Sequence, residues 1–536
     1  MNDTKYKYTF DPYEYPSEIK SVVYLKGSWY EIGRQYGKTA KNAVERLIVF
    51  GLNTALTGYG NLGEARKPLQ AQSDYIAAKA PELMEVYKGI SAGSGRALEE
   101  VLFGFAFATP GMADSGYSSD DIEANRDGCS NIVAWGDATR NGKLIAGANT
   151  DAPPWFEHYY GPAIVVFPDG HNAFVGYDGF TGNCFMNDKG VAVTTAGGQG
   201  QGERGDYGVR LPYKAGELLS MAYSSTASEA KDFFIASGGP GQGENLQFSD
   251  ESGVSFVVEH TAARDCVRVS GDFGEKDACY TIASNGYLCK EMQDSLYKGE
   301  KAWDDCLPRI WTEERVFLDN WGENTIETVN AALGCPRYYI PPDWEKWVEA
   351  NQVKWHMNPF SEWDGKTGWS EENWDFGNGL GCWSPENMTQ MFKCILRAVV
   401  VPEDRHMYIM VGASNRFMSF NPNATGNFCK IDLNPARGCE TVDPCAINKN
   451  AQIEADNQLF KAAYDLSKAE AEECVQVEKE DYLNMAKEEY FAAVSLTCLA
   501  NITEGDEQLD YLNQATTAFC KAQCYAKLAQ NVVKIL

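Results

Sequence analysis

The chain has 536 residues, of which 44% are hydrophobic, and its formal net charge at pH 7 is -28. This length and apolar content allow one large layered domain with additions, or two to four domains. The negative charge excludes nucleic acid and anionic membrane surfaces as expected partners. Both would repel the chain, and the sequence has no cluster of Lys and Arg to offset the repulsion.

The sequence contains no evident targeting signal or metal site. Its first residues lack the apolar stretch of a secretion signal, and no run of about 18 apolar residues predicts a membrane-spanning helix. We therefore expect a cytoplasmic protein whose 16 cysteines are free thiols. Cys520 and Cys524 share a predicted helix without evident further ligands, so we expect no metal and no cofactor.

The N-terminal quarter is predicted to be helical. Apolar residues recur at helical spacing between residues 29 and 57, and Pro81 is typical of the first turn of a further helix. Gly-Ile-Ser-Ala-Gly at 89–93 matches the nucleophile elbow of α/β-hydrolases, which requires a strand before the serine. Because a helix precedes it here, we interpret the match as chance in a helix-breaking Gly/Ser turn. A serine hydrolase using Ser91 is kept as an alternative.

Residues 128–151 predict a β-hairpin. Two apolar runs flank Asn141-Gly142, a dipeptide favoured in type I′ turns. A turn centred there would place Cys129 opposite about residue 154, so Asp151 would lie about three residues along the ladder, roughly 10 Å away. The thiol and the carboxylate would then share one end of the hairpin. Gly128 gives the peptide bond before the cysteine the freedom to adopt a strained conformation.

The same hairpin resembles a known family. Gly-Cys-Ser-Asn at 128–131, followed by Gly-Ala-Asn-Thr-Asp at 147–151, resembles the start of the mature chain in N-terminal nucleophile (Ntn) hydrolases of the isopenicillin N acyltransferase-like autoproteolytic acyltransferase/hydrolase family. The resemblance implies an α+β fold, an αββα sandwich. It also implies that the precursor cuts itself between Gly128 and Cys129, and that the freed amine of Cys129 is the base for its own thiol. An ordinary buried cysteine is the competing interpretation.

The remaining pattern is compatible with that fold. Short runs of period two between residues 129 and 290 predict a meandering antiparallel sheet, and residues 213–223 and 227–236 have helical spacing. We predict a buried helix at 393–400 and a strand at 407–412. From about residue 450 helical spacing returns, which predicts a C-terminal α-helical appendage of three helices.

We therefore divide the chain into three regions: an N-terminal helical segment (1–128), an Ntn-hydrolase catalytic region (129–445) and a C-terminal three-helix region (446–536). The resemblance implies that the first region stays bound as a small subunit after cleavage, so that the N-terminal fragment is a heterodimer partner. The C-terminal helices are a candidate surface for homo-oligomers.

The chemistry expected of the site is acyl transfer. A free α-amine has a pKa of about 7.7 to 8.0, so the amine of Cys129 suits the role of base without a histidine. The resemblance implies that Asp151 orients this amine and that Asn285 donates a hydrogen bond to the oxyanion. By itself, Asn285 would be interpreted as a turn residue. His260, at the end of a predicted strand, is the external base in a Cys-His alternative.

Two positions depart from the family. Ala148 stands where one branch carries an Arg, which argues against that branch and its carboxylate-bearing substrates. Residues 196–197 stand where relatives place an Asn near the nucleophile. We therefore expect a second side-chain contact to the oxyanion to be missing or supplied by the main chain.

The substrate region is predicted from aromatic residues. Trp155, Phe156 and Tyr159 follow Asp151 and are expected to line an apolar acyl pocket, although core packing competes evenly. Residues 340–385 are rich in tryptophan, which favours core packing over the binding of a glycan or another ligand.

Taken together, the sequence predicts a self-processing cysteine amidohydrolase or acyltransferase that cleaves a linear C–N amide bond of a small N-acyl substrate through a thioester. The alternatives are the serine hydrolase and a non-enzymatic glycan- or ligand-binding protein on a degenerate hydrolase scaffold.

Overall fold

The computed structural model describes residues 22–107, 128–152, 161–177, 179–197, 209–212, 214–239, 243–272, 278–295, 306–333, 339–353, 367–369, 393–411, 428–433 and 477–501, with scattered positions between 507 and 526. All structural statements below concern these residues.

The strands form two large sheets and a small ribbon. The first sheet has the order β1-β4-β5-β6-β7-β8-β9-β10, the second β11-β2-β3-β14-β15-β16, and β12 pairs with β13. The strands are β1 (Val22–Gly27), β2 (Gly128–Gly136), β3 (Gly142–Ala152), β4 (Ala163–Pro168), β5 (Phe174–Gly176), β6 (Cys184–Asn187), β7 (Val191–Gly197), β8 (Glu244–Asp250), β9 (Ser255–His260), β10 (Asp265–Val269), β11 (Tyr280–Ala283), β12 (Tyr339–Ile340), β13 (Gly368–Trp369), β14 (Lys393–Val401), β15 (His406–Val411) and β16 (Phe428–Asp432).

The helices lie mainly before and between the strands. They are α1 (Trp29–Thr39), α2 (Lys41–Tyr59), α3 (Leu62–Lys79), α4 (Pro81–Ser94), α5 (Leu98–Leu102), α6 (Ala215–Tyr223), α7 (Ala227–Ser237), α8 (Cys306–Asp319), α9 (Ile326–Leu333), α10 (Trp344–Asn351) and α11 (Val477–Asn501). Within the described part of the chain, no helix combines the length and the apolar character needed to cross a membrane.

Three hydrophobic cores show how these elements are layered. In the first core, residues of α1 to α7 pack on the outer face of the first sheet. The second core lies between the two sheets, and the third lies between the second sheet and α8 to α10. Neighbouring residues of a strand enter different cores, as Val193 and Ala192 of β7 do. The molecule is thus an αββα sandwich, and the predicted α+β class is confirmed.

The predicted hairpin is present, but its turn lies elsewhere. β2 and β3 pair with Gly128 opposite Asp151 and Cys129 opposite Thr150. The prediction that Asp151 lies three residues along the ladder from Cys129 is wrong. β2 ends at Gly136 and β3 begins at Gly142, so Asn141-Gly142 closes a longer connection instead of forming its centre. As a result, the main chain of Asp151 lies directly across from the Gly128–Cys129 peptide.

The match to a nucleophile elbow is explained by helix packing. Helix α4 runs without a break from Pro81 to Ser94, so the predicted Gly/Ser turn is wrong. A side chain at Gly89 or Gly93 would meet a main-chain oxygen of α1 at 2.1 Å, so these glycines allow the two helices to approach closely. Ser91 lies within the helix, and its Oγ donates to Arg96 O at 2.7 Å. This rules out the strand-turn-helix geometry required of a serine nucleophile here.

Two further predictions change with the structure. The buried helix predicted at 393–400 is wrong, because this stretch is β14, a central strand between β3 and β15. Its β-branched run fits a strand buried on both faces, and a short apolar run does not reveal its own periodicity. The expectation that all cysteines are free is wrong for Cys266 and Cys289, which form a disulfide with Cα atoms 6.5 Å apart.

The C-terminal and tryptophan-rich regions are described in part. Tyr490 of α11 packs against Ala515 and Ala518, but the first predicted helical run, around 459–466, lies outside the described residues. A three-helix region therefore stays a prediction. Trp347 of α10 packs edge-on against Trp311, with ring centroids 5.6 Å apart, as expected of core packing.

Candidate active site

Cys129 lies near the start of β2, where the two sheets meet the loops at one end of the sandwich. On one side Cys129 pairs with Thr150 of β3, whereas on the other side β11 pairs with β2 only from Asn131 onward. Its side chain is buried, with 2% of its surface exposed. The residue after it, Ser130, donates its main-chain N–H to Asn149 Oδ1 at 2.5 Å. Pairing with β3 thus fixes the main chain of Cys129 on one side.

Three side chains bind the main chain of Cys129. Its N–H donates to Asn285 Oδ1 at 3.0 Å. Its carbonyl oxygen accepts from Arg309 Nη1 at 2.6 Å and from Ser284 Oγ at 3.2 Å. Arg309 Nη2 also donates to Asn285 Oδ1 at 2.8 Å, which links the two partners to each other. The main-chain nitrogen of Cys129 therefore has a side-chain acceptor.

The thiol faces an amide that the sequence did not reveal. Asn183, in the residue before β6, has its Nδ2 4.0 Å from Cys129 Sγ, a long contact to sulfur. The same Nδ2 donates to Thr150 Oγ1 at 3.0 Å, and Thr150 lies directly opposite Cys129 in β3. Thr150 Oγ1 is in turn 3.1 Å from Tyr177 Oη. The amide nitrogen of Asn183 thus lies beside the Cys129 sulfur.

Asn285 is brought to Cys129, but its two amide atoms face different ways. Oδ1 accepts from Cys129 N, while Nδ2 donates to Gly197 O at 2.6 Å. The segment that carries Asn285 is also tied to the first sheet, because Asn245 Nδ2 donates to Ser284 O at 2.5 Å. The structure therefore joins Asn285 to the cysteine through an acceptor atom, and its donation to an oxyanion stays a prediction.

The remaining predicted residues are described in part or not at all. The main chain of Asp151 pairs with Gly128, but its side chain lies outside the described part of the structure. Trp155, Phe156 and Tyr159 lie outside the described residues, so the predicted acyl pocket stays a prediction.

The His260 side chain lies on the face of the first sheet that packs against the helices, away from the second sheet. Its ring packs against Phe234 of α7, with centroids 5.3 Å apart, and its Nδ1 is 2.6 Å from Asp265 Oδ1. Its ring therefore faces the helices that cover the first sheet, whereas Cys129 belongs to the second sheet. This placement does not support His260 as the base for the cysteine.

Sequence reasoning missed Arg309 and Asn183, for different reasons. Arg309 is a lone cation between Leu307 and Trp311 on a helix that packs on the second sheet, and an isolated charge in an apolar helical run was a usable signal. Asn183 follows Gly182 before a strand, which is typical of an ordinary turn. Only the fold brings it to a cysteine 54 positions away.

The arrangement fits nucleophilic acyl chemistry. A buried thiol has a side-chain amide beside it, and its own main-chain nitrogen is bound to a polar side chain. Burial raises the pKa of a different thiol, Cys184, which lies in the core between the sheets. Within the described residues, no group of three or more His, Cys, Asp and Glu side chains is suited to hold a metal ion.

Comparison with known proteins adds little to this geometry. No protein-family model and no curated protein sequence matches the chain. Among solved structures, it is similar to penicillin V acylase from Agrobacterium tumefaciens, with 11% identity, a TM-score of 0.31 and coverage of 58% of this chain and 90% of that chain. It is also similar to a mutant of conjugated bile acid hydrolase from Clostridium perfringens, with 10% identity, a TM-score of 0.30 and coverage of 59% and 100%. A second variant of that hydrolase gives 10% identity, a TM-score of 0.28 and coverage of 58% and 100%. We draw no functional argument from likenesses this distant.

Proposed function

We propose that the chain is a self-processing cysteine amidohydrolase or acyltransferase of the Ntn type. The observation that carries the proposal is the setting of Cys129, whose main-chain nitrogen is bound by Asn285 Oδ1 while the amide of Asn183 lies beside its thiol. One residue thereby presents both a nucleophile and a nitrogen suited to become its base. An ordinary core cysteine does not require either arrangement.

In the first reaction the chain would cut itself. The Cys129 thiol attacks the carbonyl carbon of Gly128, a C–S bond forms, the C–N bond breaks, and the thiol proton goes to the departing nitrogen. Water then hydrolyses this thioester, leaving a carboxylate on Gly128 and restoring the thiol. Asp151 lies opposite Gly128 in the ladder, which places its main chain beside the bond to be cut.

In the second reaction the mature enzyme would act on a small N-acyl amide. The α-amine of Cys129 takes the thiol proton, and the thiolate attacks the amide carbonyl. The amine leaves with a proton, and an acyl thioester remains for water or an acceptor amine to resolve. Asn285 Oδ1 would hold the α-amine, the carboxylate of Asp151 would stabilise its charged form, and the Asn183 amide would donate to the oxyanion.

The remaining parts of the proposal concern the two fragments, the acyl pocket, the location in the cell and the oligomeric state. Cleavage would give a fragment of residues 1–128 and one of 129–536 that stay together, because the helices of the first fragment share a hydrophobic core with the first sheet. Trp155, Phe156 and Tyr159 would line the acyl pocket. The location is proposed to be cytoplasmic, and the C-terminal helices are the proposed surface for any homo-oligomer.

The proposal is tested by denaturing electrophoresis with N-terminal sequencing of the large fragment. The wild type should give two fragments, the larger beginning at Cys129, that elute together on a native column. Cys129→Ala should stay whole, while Cys498→Ala, which removes an exposed thiol of α11, should be cut normally. A wild-type chain that stays uncut while hydrolysing N-acyl amides would refute self-processing, and cleavage of Cys129→Ala would remove the cysteine from the mechanism.

A further inference from the structure

A buried ionic cluster lies behind the amide of Asn183. It consists of Lys214, Glu217 and Glu244, whose side chains are completely buried. Lys214 Nζ is 3.3 Å from Glu217 Oε1 and also contacts Glu244 Oε1. It donates as well to Thr195 Oγ1 at 2.5 Å. The single ammonium group thus connects two carboxylates from different elements with a hydroxyl group of β7.

The main chain at Lys214 is unusual. This residue precedes α6 and has a φ of 69°, in the left-handed region that residues with a Cβ rarely adopt. Such a conformation persists only where the surroundings impose it, and an observed outlier is a reason to look for a function. In this conformation the Lys214 ammonium group contacts Glu217, Glu244 and Thr195. A solvent-exposed lysine would have no need of this backbone geometry.

Thr195 connects the cluster to Asn183. Its Oγ1 donates to Asn183 Oδ1 at 3.5 Å, and its main-chain N donates to Asn183 O at 2.8 Å. A hydroxyl group has one proton to donate. Because Lys214 can only donate to Thr195 Oγ1, the hydroxyl proton is left to point at Asn183 Oδ1.

The direction of this hydrogen bond, from Thr195 to Asn183, fixes the orientation of the Asn183 amide. With Oδ1 directed at the Thr195 hydroxyl, Nδ2 faces Thr150 Oγ1 and the Cys129 sulfur. If the amide were reversed, its oxygen would face the sulfur and its NH₂ group would face the Thr195 proton. The hydrogen-bond network is what selects between the two orientations of an asparagine amide. The direction of donation therefore runs from Lys214 through Thr195 to Asn183.

The cluster also adjoins the second amide of the site. Glu244 is the register partner of Gly197, and Gly197 O accepts from Asn285 Nδ2 at 2.6 Å. β7 therefore carries the anchors of both asparagines, Thr195 and Gly197, and Glu244 of the cluster begins the neighbouring strand β8. The start of α6 is thereby connected to Cys129 through the hydrogen bonds of Thr195 and Asn183.

We propose that Lys214 is a positioning residue that acts through Thr195 to turn the amide of Asn183 toward the reacting thiol. This inference rests on the proposed function, because it assumes that the Asn183 amide assists the chemistry of Cys129. Lys214 itself does not touch the reacting atoms. Its effect on the reaction is therefore expected to pass through Asn183 and to vanish when that amide is absent.

The test compares Thr195→Val with Thr195→Ser. Full-length chains are made by cell-free translation, and the rate of self-cleavage is followed by electrophoresis. Thr195→Val keeps the shape but loses the hydroxyl, and should slow cleavage about tenfold, a fraction of the 10² to 10³ typical of losing an oxyanion donor outright. Thr195→Ser keeps the hydroxyl and should restore the rate. Thr194→Val, which removes the neighbouring buried hydroxyl next to Gln247, is the matched control and should cleave normally.

A double-mutant cycle separates positioning from a merely structural effect. Thr195→Val should slow the wild type but add nothing to Asn183→Ala, because the amide it orients is then gone. An unchanged rate in Thr195→Val, or two effects that multiply in the double mutant, would overturn the inference. Lys214→Met should resemble Thr195→Val. Since that variant leaves two buried carboxylates without their cation and could fail to fold, the decision rests on the threonine variants.

Failure of the proposed function would give a different result. A wild-type chain that stays whole counts against self-processing and not against the role of Lys214. In that case the same variants are compared by the rate at which iodoacetamide alkylates Cys129, measured by mass spectrometry of the tryptic peptide. A lower rate in Thr195→Val that Thr195→Ser restores would support the inference, and equal rates in the two variants would overturn it.

Discussion

Two buried carboxylates on neighbouring strands of the first sheet have opposite surroundings. Glu259 of β9 accepts from Arg268 Nε at 2.7 Å, and from the main-chain nitrogens of Leu288 and Cys289, both at 2.9 Å. Both of its oxygens are therefore bound by donors. Glu244 of β8 lies on the other face of the sheet, the one that packs against the helices.

Glu244 is much less well satisfied. Its Oε1 contacts Lys214, but its Oε2 has no hydrogen-bond partner among the described residues. It also shares that lysine with a second carboxylate, Glu217. Burial, followed by repulsion from Glu217, raises the pKa of Glu244 to about 8. Glu244 therefore holds its proton to a higher pH than an exposed carboxyl does.

The two carboxyl groups therefore have different roles: Glu259 holds a main-chain segment in place, and Glu244 belongs to the ionic cluster near the candidate site. Glu259, together with the Cys266–Cys289 disulfide, fixes one end of the segment whose other end carries Asn285. A carboxylate with all its acceptor sites bound holds a main chain in place. Burial raises the pKa of both carboxyls, but at Glu259 Arg268 and the two main-chain N–H groups oppose that rise, whereas Glu244 also faces Glu217. The cluster that contains Glu244 reaches Asn183 through Thr195.

The largest expected effect is on the rate of self-cleavage. It comes from Asn285, at the end of the segment 285–289 that binds Cys129. Asn285→Ala removes the acceptor of Cys129 N and one partner of Arg309. We expect self-cleavage to slow by about 10² to 10³, the usual loss for one oxyanion donor, which is the role predicted for Asn285 from the sequence. The rate is measured by electrophoresis. Asn320→Ala, at the exposed end of α8, is the control, and an unchanged rate in Asn285→Ala would return Asn285 to the role of a turn residue.

A smaller effect is expected on stability, at the other end of the same segment. Glu259→Gln replaces one acceptor oxygen by an NH₂ group that must face a donor, so at least one buried N–H loses its partner. We expect the free energy of unfolding to fall by about 1 to 3 kcal/mol, measured by urea denaturation. Glu323→Gln, in an exposed ion pair with Arg140, should change it by less than about 1 kcal/mol. Equal losses in both variants would show that Glu259 is not an anchor.

Much of the fold was predictable, because its signals are local. The period-two runs and the helical spacing predicted the β2–β3 hairpin, much of the first sheet and helices α1, α2, α4, α6 and α7, and Gly128 and Cys129 marked the candidate site. The second sheet was predicted less well, because β14 was predicted as a helix and α8 was not predicted. β1 was not predicted, because its six residues find their partner, β4, only in the folded sheet. Arg309 and Cys129 are 180 positions apart, and no local pattern reports such a contact.

The smallest expected effect is the dependence of stability on pH that comes from Glu244. It tests the difference between Glu244 and Glu259 directly. The groups on the same face that surround this carboxyl are Lys214 and Glu217 of the cluster, and His260, its register partner on β9. Because the folded-state pKa of Glu244 is about 8 and its ordinary value is 4.5, the folded chain holds this proton more tightly than the unfolded chain.

The stability that the protonated Glu244 contributes is therefore complete below about pH 4.5, and is lost as the pH rises from there to about 8. Glu244→Gln imitates the protonated form, and its new NH₂ group meets no donor at Oε2. We expect the variant to match the wild type at pH 4.5 within about 1 kcal/mol and to become the more stable of the two as the pH rises toward 8.

Thermal unfolding measured from pH 4.5 to 8 tests this prediction. Glu259→Gln should be less stable than the wild type at pH 8, where Glu244→Gln is the more stable, because Glu259→Gln leaves a buried N–H without its acceptor. Stability curves for Glu244→Gln and the wild type that run parallel from pH 4.5 to 8 would place Glu244 with Glu259 as a second fixed anchor, and the contrast between the two carboxylates would be lost.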